Sequence, residues 1–317
     1  MHEFKEHEVI ANGIRQHVTE AGSGPAVLLC HGFPELGHSW RHQIRALADA
    51  GYRAIAPDMR GYGRTEAPAD AGRYTILDLV GDMVGLLAAL EIRQADVVGH
   101  DWGAPVAWTA AQLRPDIFTS VMGLSVPFAP RGKSSSLDSL RRAGRHRFYQ
   151  LYFQQPGIAE ADFQTDIAAT LRRMMWTLSA GPSELWSGMI GAQGLLESLS
   201  EPPSDMPWMS TQELALYTAA FEASGLSGPL NWYRNIDHNW ELTAPFQGAL
   251  IRQPAWFITG ERDPIYPHVK ALVDALPQTV PGHLGTTIIP NAGHWVQQEA
   301  SAIVNTVLLE FLGRSRR

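Results

Sequence analysis

The stretch Val97-Val98-Gly99-His100-Asp101-Trp102-Gly103-Ala104 constrains this chain more than any other. Two glycines flank a carboxylate, one residue away on either side, between an apolar run that reads as a buried strand and a segment that reads as a helix. A sharp strand-to-helix turn needs permissive backbone and close packing at both glycines, and it lifts the central side chain to the top of a sheet. Here that side chain is Asp101, a carboxylate where a hydroxyl is the usual occupant.

The surrounding chain supplies such a sheet. Asn12-Gly13 between two alternating stretches predicts a hairpin. Ala26 to Cys30, Ala54 to Pro57, Ala95 to Gly99 and Val121 to Val126 are short apolar runs suited to strands buried on both faces. Between them, Thr75 with Asp78 three residues on predicts a capped helix carrying Ile76, Leu79, Met83, Leu86, Leu87 and Leu90. Asp101 to Arg114 predicts another, stopped by Pro115. From about Ala129 the pattern changes: Pro130 to Ser136 reads as a linker, and the next hundred residues show helical spacing without convincing strands. Five of the ten tryptophans and five of the nine methionines fall there, mostly as core, with some suited to an apolar tunnel. Alternation resumes at Ala255 to Thr259 and Thr286 to Ile289, and a last amphipathic helix runs through Ile303, Val307, Leu308 and Phe311. The 317 residues thus read as a mainly parallel α/β sheet with helices on both faces and an inserted helical unit. The domains are core at 1–128, insertion at 129–241 and core again at 242–317. The basic tail Arg314-Ser315-Arg316-Arg317 is expected to fray.

Charge and composition narrow the function. A net charge of -7 gives no basic surface for phosphate backbones, so nucleic acid is not an expected partner. No apolar run reaches the ~20 residues of a membrane span. The opening segment lacks a basic-then-apolar leader, which makes the cytoplasm the expected location. Cys30, the single cysteine, excludes an internal disulfide and reads as a small buried hydrophobe. The histidines lack paired ligand spacing, so neither a metal nor a cofactor is expected.

Two later motifs supply what a reactive carboxylate needs. Phe257-Ile258-Thr259-Gly260-Glu261-Arg262-Asp263 ends a strand with acids, Asp263 being preferred over Glu261. Ile289-Pro290-Asn291-Ala292-Gly293-His294 ends another with a histidine. The chain order nucleophile, acid, histidine is that of α/β-hydrolase triads, and carboxyl ends of strands are where an open α/β sheet gathers ligands. No acid follows the strand ending at Val126, the other place for one.

These residues, with His31-Gly32-Phe33-Pro34-Glu35, Arg60-Gly61-Tyr62-Gly63, Tyr149-Gln150-Leu151-Tyr152-Phe153, Asn231-Trp232-Tyr233-Arg234-Asn235 and Gly293-His294-Trp295, make the chain resemble the epoxide hydrolases of the α/β-hydrolase superfamily from about Gly24 to Phe311. The relatives in question are the carboxyl-terminal domain of vertebrate soluble epoxide hydrolase and its bacterial counterparts. The resemblance implies an α/β-hydrolase fold whose insertion is a cap, with Tyr149 and Tyr233 holding the epoxide oxygen. His38 stands where a tyrosine is common. Asp101 would form a covalent ester, and His294, oriented by Asp263, would activate the water that hydrolyses it. The N–H groups of Phe33 and Trp102 are the expected oxyanion hole. His31 and Pro34 are supporting loop residues, Pro34 after a cis bond, and His100 is expected to buttress the turn. The partner would be a small apolar epoxide, with the oligomeric state open and a homodimer among the options. Four alternatives share this fold. A haloalkane dehalogenase would need a halide donor that the Phe33 side chain cannot supply, and a dehalogenase with a carboxylate clamp would want arginine at Trp102. A serine esterase is disfavoured by Asp101, and a non-catalytic ligand receptor by the intact triad and tyrosine pair.

Overall fold

The computed structural model describes residues 3–203 and 205–316; Met1 and His2 of the opening segment, Ser204 and Arg317 lie outside them. One eight-stranded sheet runs in the order β1-β2-β4-β3-β5-β6-β7-β8. Its strands are β1 Lys5–Ala11, β2 Ile14–Gly22, β3 Ala26–Cys30, β4 Arg53–Pro57, β5 Ala95–His100, β6 Phe118–Leu124, β7 Ala255–Gly260 and β8 His283–Ile289. The pairs β1–β2 and β2–β4 are antiparallel and the rest are parallel. Ala11 sits opposite Ile14, so Asn12-Gly13 is a two-residue turn with φ of 50° and 74°, the geometry the dipeptide predicts.

Strand periodicity divides the core in two. Val27, Leu29, Val98, Met122 and Ile258 point to the face covered by helix α1 (Arg41–Asp49) and the terminal helix Ser301–Ser315. Leu28, Cys30, Val97, Val121 and Phe257 point to the face covered by α2 (Ile76–Ala89) and α3 (Gly103–Leu113). Strands buried on both faces need apolar residues at every position, which is why these runs do not alternate with polar ones. Thr75 and Asp78 form the predicted capping box of α2. Cys30 is fully buried with its sulfur 3.6 Å from that of Met83, and burial pushes its thiol pKa far up.

Four expectations change. Helix α3 begins at Gly103, not Asp101, because Asp101 adopts a left-handed φ of 49°. Strand β6 ends at Leu124, not Val126, because Ser125 turns out of it with φ of 67°. In the terminal helix the buried stripe is Val304, Leu308, Phe311 and Leu312, while Ile303 is 47% exposed. The tail is not frayed at Arg316: its guanidinium donates to Asp96 Oδ2 at 2.7 Å and lies over the Tyr52 ring.

Between β6 and β7 the described residues hold helices, chiefly Ser136–Arg142, Ile158–Thr165, Ile167–Leu178, Thr211–Ser224, Ser227–Arg234 and Ile236–Leu242, with two isolated bridges and no strand. The last helix straddles position 241, and Gln247 then pairs with both the side chain and the backbone carbonyl of Arg131, joining the two ends of the insertion. Among the described residues no helix is long and apolar enough to cross a membrane. The chain visits β4 between β3 and β5, yet β3 and β5 are neighbours, so strand order reverses there. A crevice opens outside the carboxyl ends at such a switch point.

Candidate active site

Asp101 stands at that crevice. The turn carrying it works because Gly99 packs against the backbone carbonyl of Gly103, and Gly103 against that of Cys30, leaving no space for a Cβ at either. The resulting left-handed φ at Asp101 is rare for a residue with a side chain and marks stored strain. The residue is 8% exposed, and its carboxylate accepts hydrogen bonds from two backbone N–H groups, Phe33 to Oδ1 at 2.8 Å and Trp102. Burial nevertheless raises its pKa, against the opposing pull of His294, His100 and those two donors.

The other oxygen, Oδ2, lies 3.6 Å from His294 Nε2. On its far side, His294 Nδ1 is 3.2 Å from both oxygens of Asp263. Asp263 is fully buried, which works against its charge. The cationic imidazole and its N–H, the Ser125 hydroxyl at 2.6 Å and the Ile265 N–H at 2.9 Å more than offset this and lower its pKa. Burial works against a charged His294 as well, but Asp263, then Asp101 and Glu35, outweigh it and lift the imidazole to about 9. Glu261, the rival acid, is exposed and donates only its backbone N–H, to Ile289.

Ser125 escaped the sequence reading. It directly follows β6, beside the stretch in which no acid is found, and its hydroxyl also lies 3.0 Å from His294 Nδ1. The available signal is a lone polar residue closing an apolar strand on the same sheet edge. Glu35 was noticed only as part of a motif. It is fully buried and meets His100 Nδ1 at 2.6 Å, while His100 Nε2 meets the His294 carbonyl at 2.8 Å. Burial penalises the Glu35 carboxylate, yet the charge and hydrogen bond of His100 hold it down to about 2.

His31 Nε2 accepts from the Met59 N–H at 2.8 Å, which leaves Nδ1 to donate to the Gly32 carbonyl at 2.9 Å. The Phe33-Pro34 bond is cis. His38 Nε2 lies 3.7 Å from Glu213 Oε1.

Tyr149 and Tyr233 come from separate parts of the insertion, with ring centres 5.9 Å apart. Tyr233 is held by its helix, where the Trp232 indole donates to the Arg60 carbonyl at 3.1 Å and Asn235 to the Ala71 carbonyl at 2.7 Å. Arg60 is itself buried in a two-pronged pair with Asp82. The motif around Arg60 is thus a dock for the Tyr233 helix. Burial first, and the Asp101 charge second, raise both phenol pKa values well above 10, so both stay protonated donors at neutral pH. Phe33, Asp101, Tyr149, Tyr233 and His294 share the wall of a cavity of about 760 Å³. A second, of about 600 Å³, reaches Asp101, Trp102 and both tyrosines from the side of Trp240. Phe153, Met174 and Trp186 line the first, so part of the aromatic and methionine content of the insertion does face open space. Among the described residues no cluster of three or more His, Cys, Asp or Glu side chains is arranged to hold a metal ion.

Comparison with known proteins identifies the family. The profile of the α/β hydrolase fold family matches residues 25–301. An epoxide hydrolase of Caballeronia sordidicola is 45% identical, the match covering 97% of this chain and 93% of that protein. Epoxide hydrolase A of Mycobacterium tuberculosis is 44% identical, with 96% of each covered. The solved structure of an epoxide hydrolase from an endophytic Streptomyces superposes with a TM-score of 0.95 at 42% identity, over 99% of this chain and 96% of that one. The chain belongs to the α/β-hydrolase-fold family, among its epoxide hydrolases.

Proposed function

We propose that this protein adds water to a small, largely apolar epoxide to give a vicinal diol, through a covalent ester on Asp101. The observation that carries the proposal is the division of labour between the Asp101 oxygens. Oδ1 accepts from the Phe33 N–H, while Oδ2 lies 3.6 Å from His294 Nε2, in a cavity lined by two protonated tyrosines.

An epoxide carbon is a poor electrophile unless its oxygen is relieved of developing charge. Oδ2 attacks the carbon, the C–O bond breaks toward oxygen, and Tyr149 and Tyr233 stabilise that oxygen, one of them giving it a proton. The proton that His294 holds at rest balances the one lost by tyrosine, leaving a neutral imidazole. That imidazole takes a proton from water as the hydroxide adds to Asp101 Cγ. Charge then collects on Oδ1, against the N–H groups of Phe33 and Trp102. Collapse expels the diol oxygen, which takes up the proton of the hydroxyl newly added to Cγ, so that Asp101 returns as carboxylate and His294 as imidazolium. The sum is epoxide plus water to diol, and the step calls for no cofactor. In this reading residues 129–241 are the cap and 1–128 with 242–317 the core.

Replacement of His294 by glutamine should trap the ester as a mass increase equal to the substrate, located on the peptide containing Asp101. In single turnover in oxygen-18 water, the label should enter the Asp101 carboxylate and not the first diol. Label in the first diol rules out the covalent route. Halide release from bromoalkanes faster than epoxide opening would move the assignment to a dehalogenase.

A further inference from the structure

Glu299 closes the short helix Val296–Glu299, five residues beyond His294, and nothing in the chemistry above uses it. Its Oε2 accepts from the Gly293 N–H at 3.1 Å and the Ala180 N–H at 2.9 Å; its Oε1 accepts from the Trp295 N–H at 3.0 Å. Gly293 and Trp295 are the neighbours of His294 on either side. Ala180 belongs to the insertion. One carboxylate therefore holds both flanks of the histidine and a third segment of chain.

The contact with the insertion is broad. The His294 N–H donates to the Leu178 carbonyl at 2.8 Å, and the Trp295 indole to the Met175 carbonyl at 2.8 Å. Arg262, next to Asp263, donates to the carbonyls of Ala180 and Pro182. Gly293 presses on the backbone of Ser179 and Ala180 so closely that no Cβ fits. Residues 175–183 and the His294 loop thus form one continuous contact, which Glu299 joins through both of its oxygens.

We infer that Glu299 is a positioning residue for the water-activating step: it fixes the path of the His294 loop and registers it against the insertion. The inference rests on the two-step reading above, and the two steps make different demands on that loop. Attack by Asp101 uses groups anchored on β3, β5 and the tyrosine-bearing segments, with His294 supplying only the proton that restores the tyrosine. Ester hydrolysis needs His294 Nε2 within reach of a water beside Asp101 Cγ, and displacement of a catalytic group by ~1 Å is worth ~100-fold in rate.

Glutamine at position 299 keeps the shape but replaces one acceptor oxygen with an amide that points its own hydrogens at a backbone N–H. In Glu299→Gln, ester formation should stay within about threefold of the parent, while ester hydrolysis slows more than about tenfold. Ester then accumulates on Asp101 in the steady state, and kcat and KM fall together. Glu299→Asp, which keeps both acceptors on a shorter stem, should recover part of the hydrolysis rate. Parallel loss of both steps, or an unchanged ratio between them, overturns the inference, since a merely structural role predicts no selectivity. If Glu299→Gln does not fold, the same ratio in Glu299→Asp decides. If His294→Gln traps no ester, the function proposal fails instead, so the two failures are separable.

Discussion

In the resting protein His294 holds its proton up to about pH 9, yet a general base must be neutral to work. Loss of the Asp101 charge resolves this. The imidazole Nε2 and Asp101 Oδ2 are 3.6 Å apart. Two unit charges at that distance attract by about 1 kcal/mol at the dielectric of water and about 5 kcal/mol at an effective dielectric of 20. At 1.36 kcal/mol per pKa unit, this converts to roughly 1 to 3 units. Ester formation converts the carboxylate to a neutral group, so the imidazole becomes a base only after the substrate is attached. Asp101→Asn mimics the neutralised state without changing shape. Titration of isotopically labelled histidine by NMR across pH 5 to 10 should place His294 near 9 in the parent and roughly 1 to 3 units lower in Asp101→Asn. Asp263, the strongest of the groups raising His294, remains in place and keeps the tautomer with Nδ1 protonated. An imidazole that titrates in Asp101→Asn at or above its parent value would refute the coupling.

The same pKa has a stability signature. A histidine raised from 6.5 to about 9 contributes about 3 kcal/mol, present in full below pH 6.5 and lost as pH rises toward 9. Thermal unfolding should show this decline in the parent, and His294→Gln should flatten it; an equal slope in both proteins assigns the decline to other groups. Tyr149→Phe and Tyr233→Phe should each slow ester formation by about 10- to 100-fold, the worth of one hydrogen bond to a charged oxygen at about 1.5–3 kcal/mol. Hydrolysis of an ester already formed should be unaffected by either change, as rapid-mixing measurements can separate. Asp82→Asn leaves the buried Arg60 guanidinium without its counter-charge and should cost about 3–5 kcal/mol in denaturant unfolding. A cost below about 1 kcal/mol would mean that the Arg60 dock is not a buried ion pair in solution.

What the sequence disclosed and what it withheld follow a physical divide. Local steric demands leave a mark on neighbouring residues: Gly99 and Gly103 around Asp101, Asn12-Gly13 in a tight turn, and Thr75 with Asp78 at a cap are each legible within a few positions. The order of Asp101, Asp263 and His294 survives a long insertion because each ends a strand of the same parallel sheet, and such strands all deliver their ends to one edge. Groups whose role depends on a carbonyl or N–H in a distant segment leave no such mark. Ser125 looks like an ordinary strand terminus until β6 and β7 pair and bring its hydroxyl to Asp263. Glu299 looks like a surface acid on a short helix until residues 175–183 fold down onto it. The tyrosines lie between these cases. Composition and periodicity give them only as aromatic residues in a helical insertion, and Tyr233 acquires its place from Arg60, over 170 positions earlier, whose carbonyl holds Trp232. The least legible residues are therefore those that couple the insertion to the core. Substitutions at that seam are where reaction rate should change with the sheet and the triad left intact.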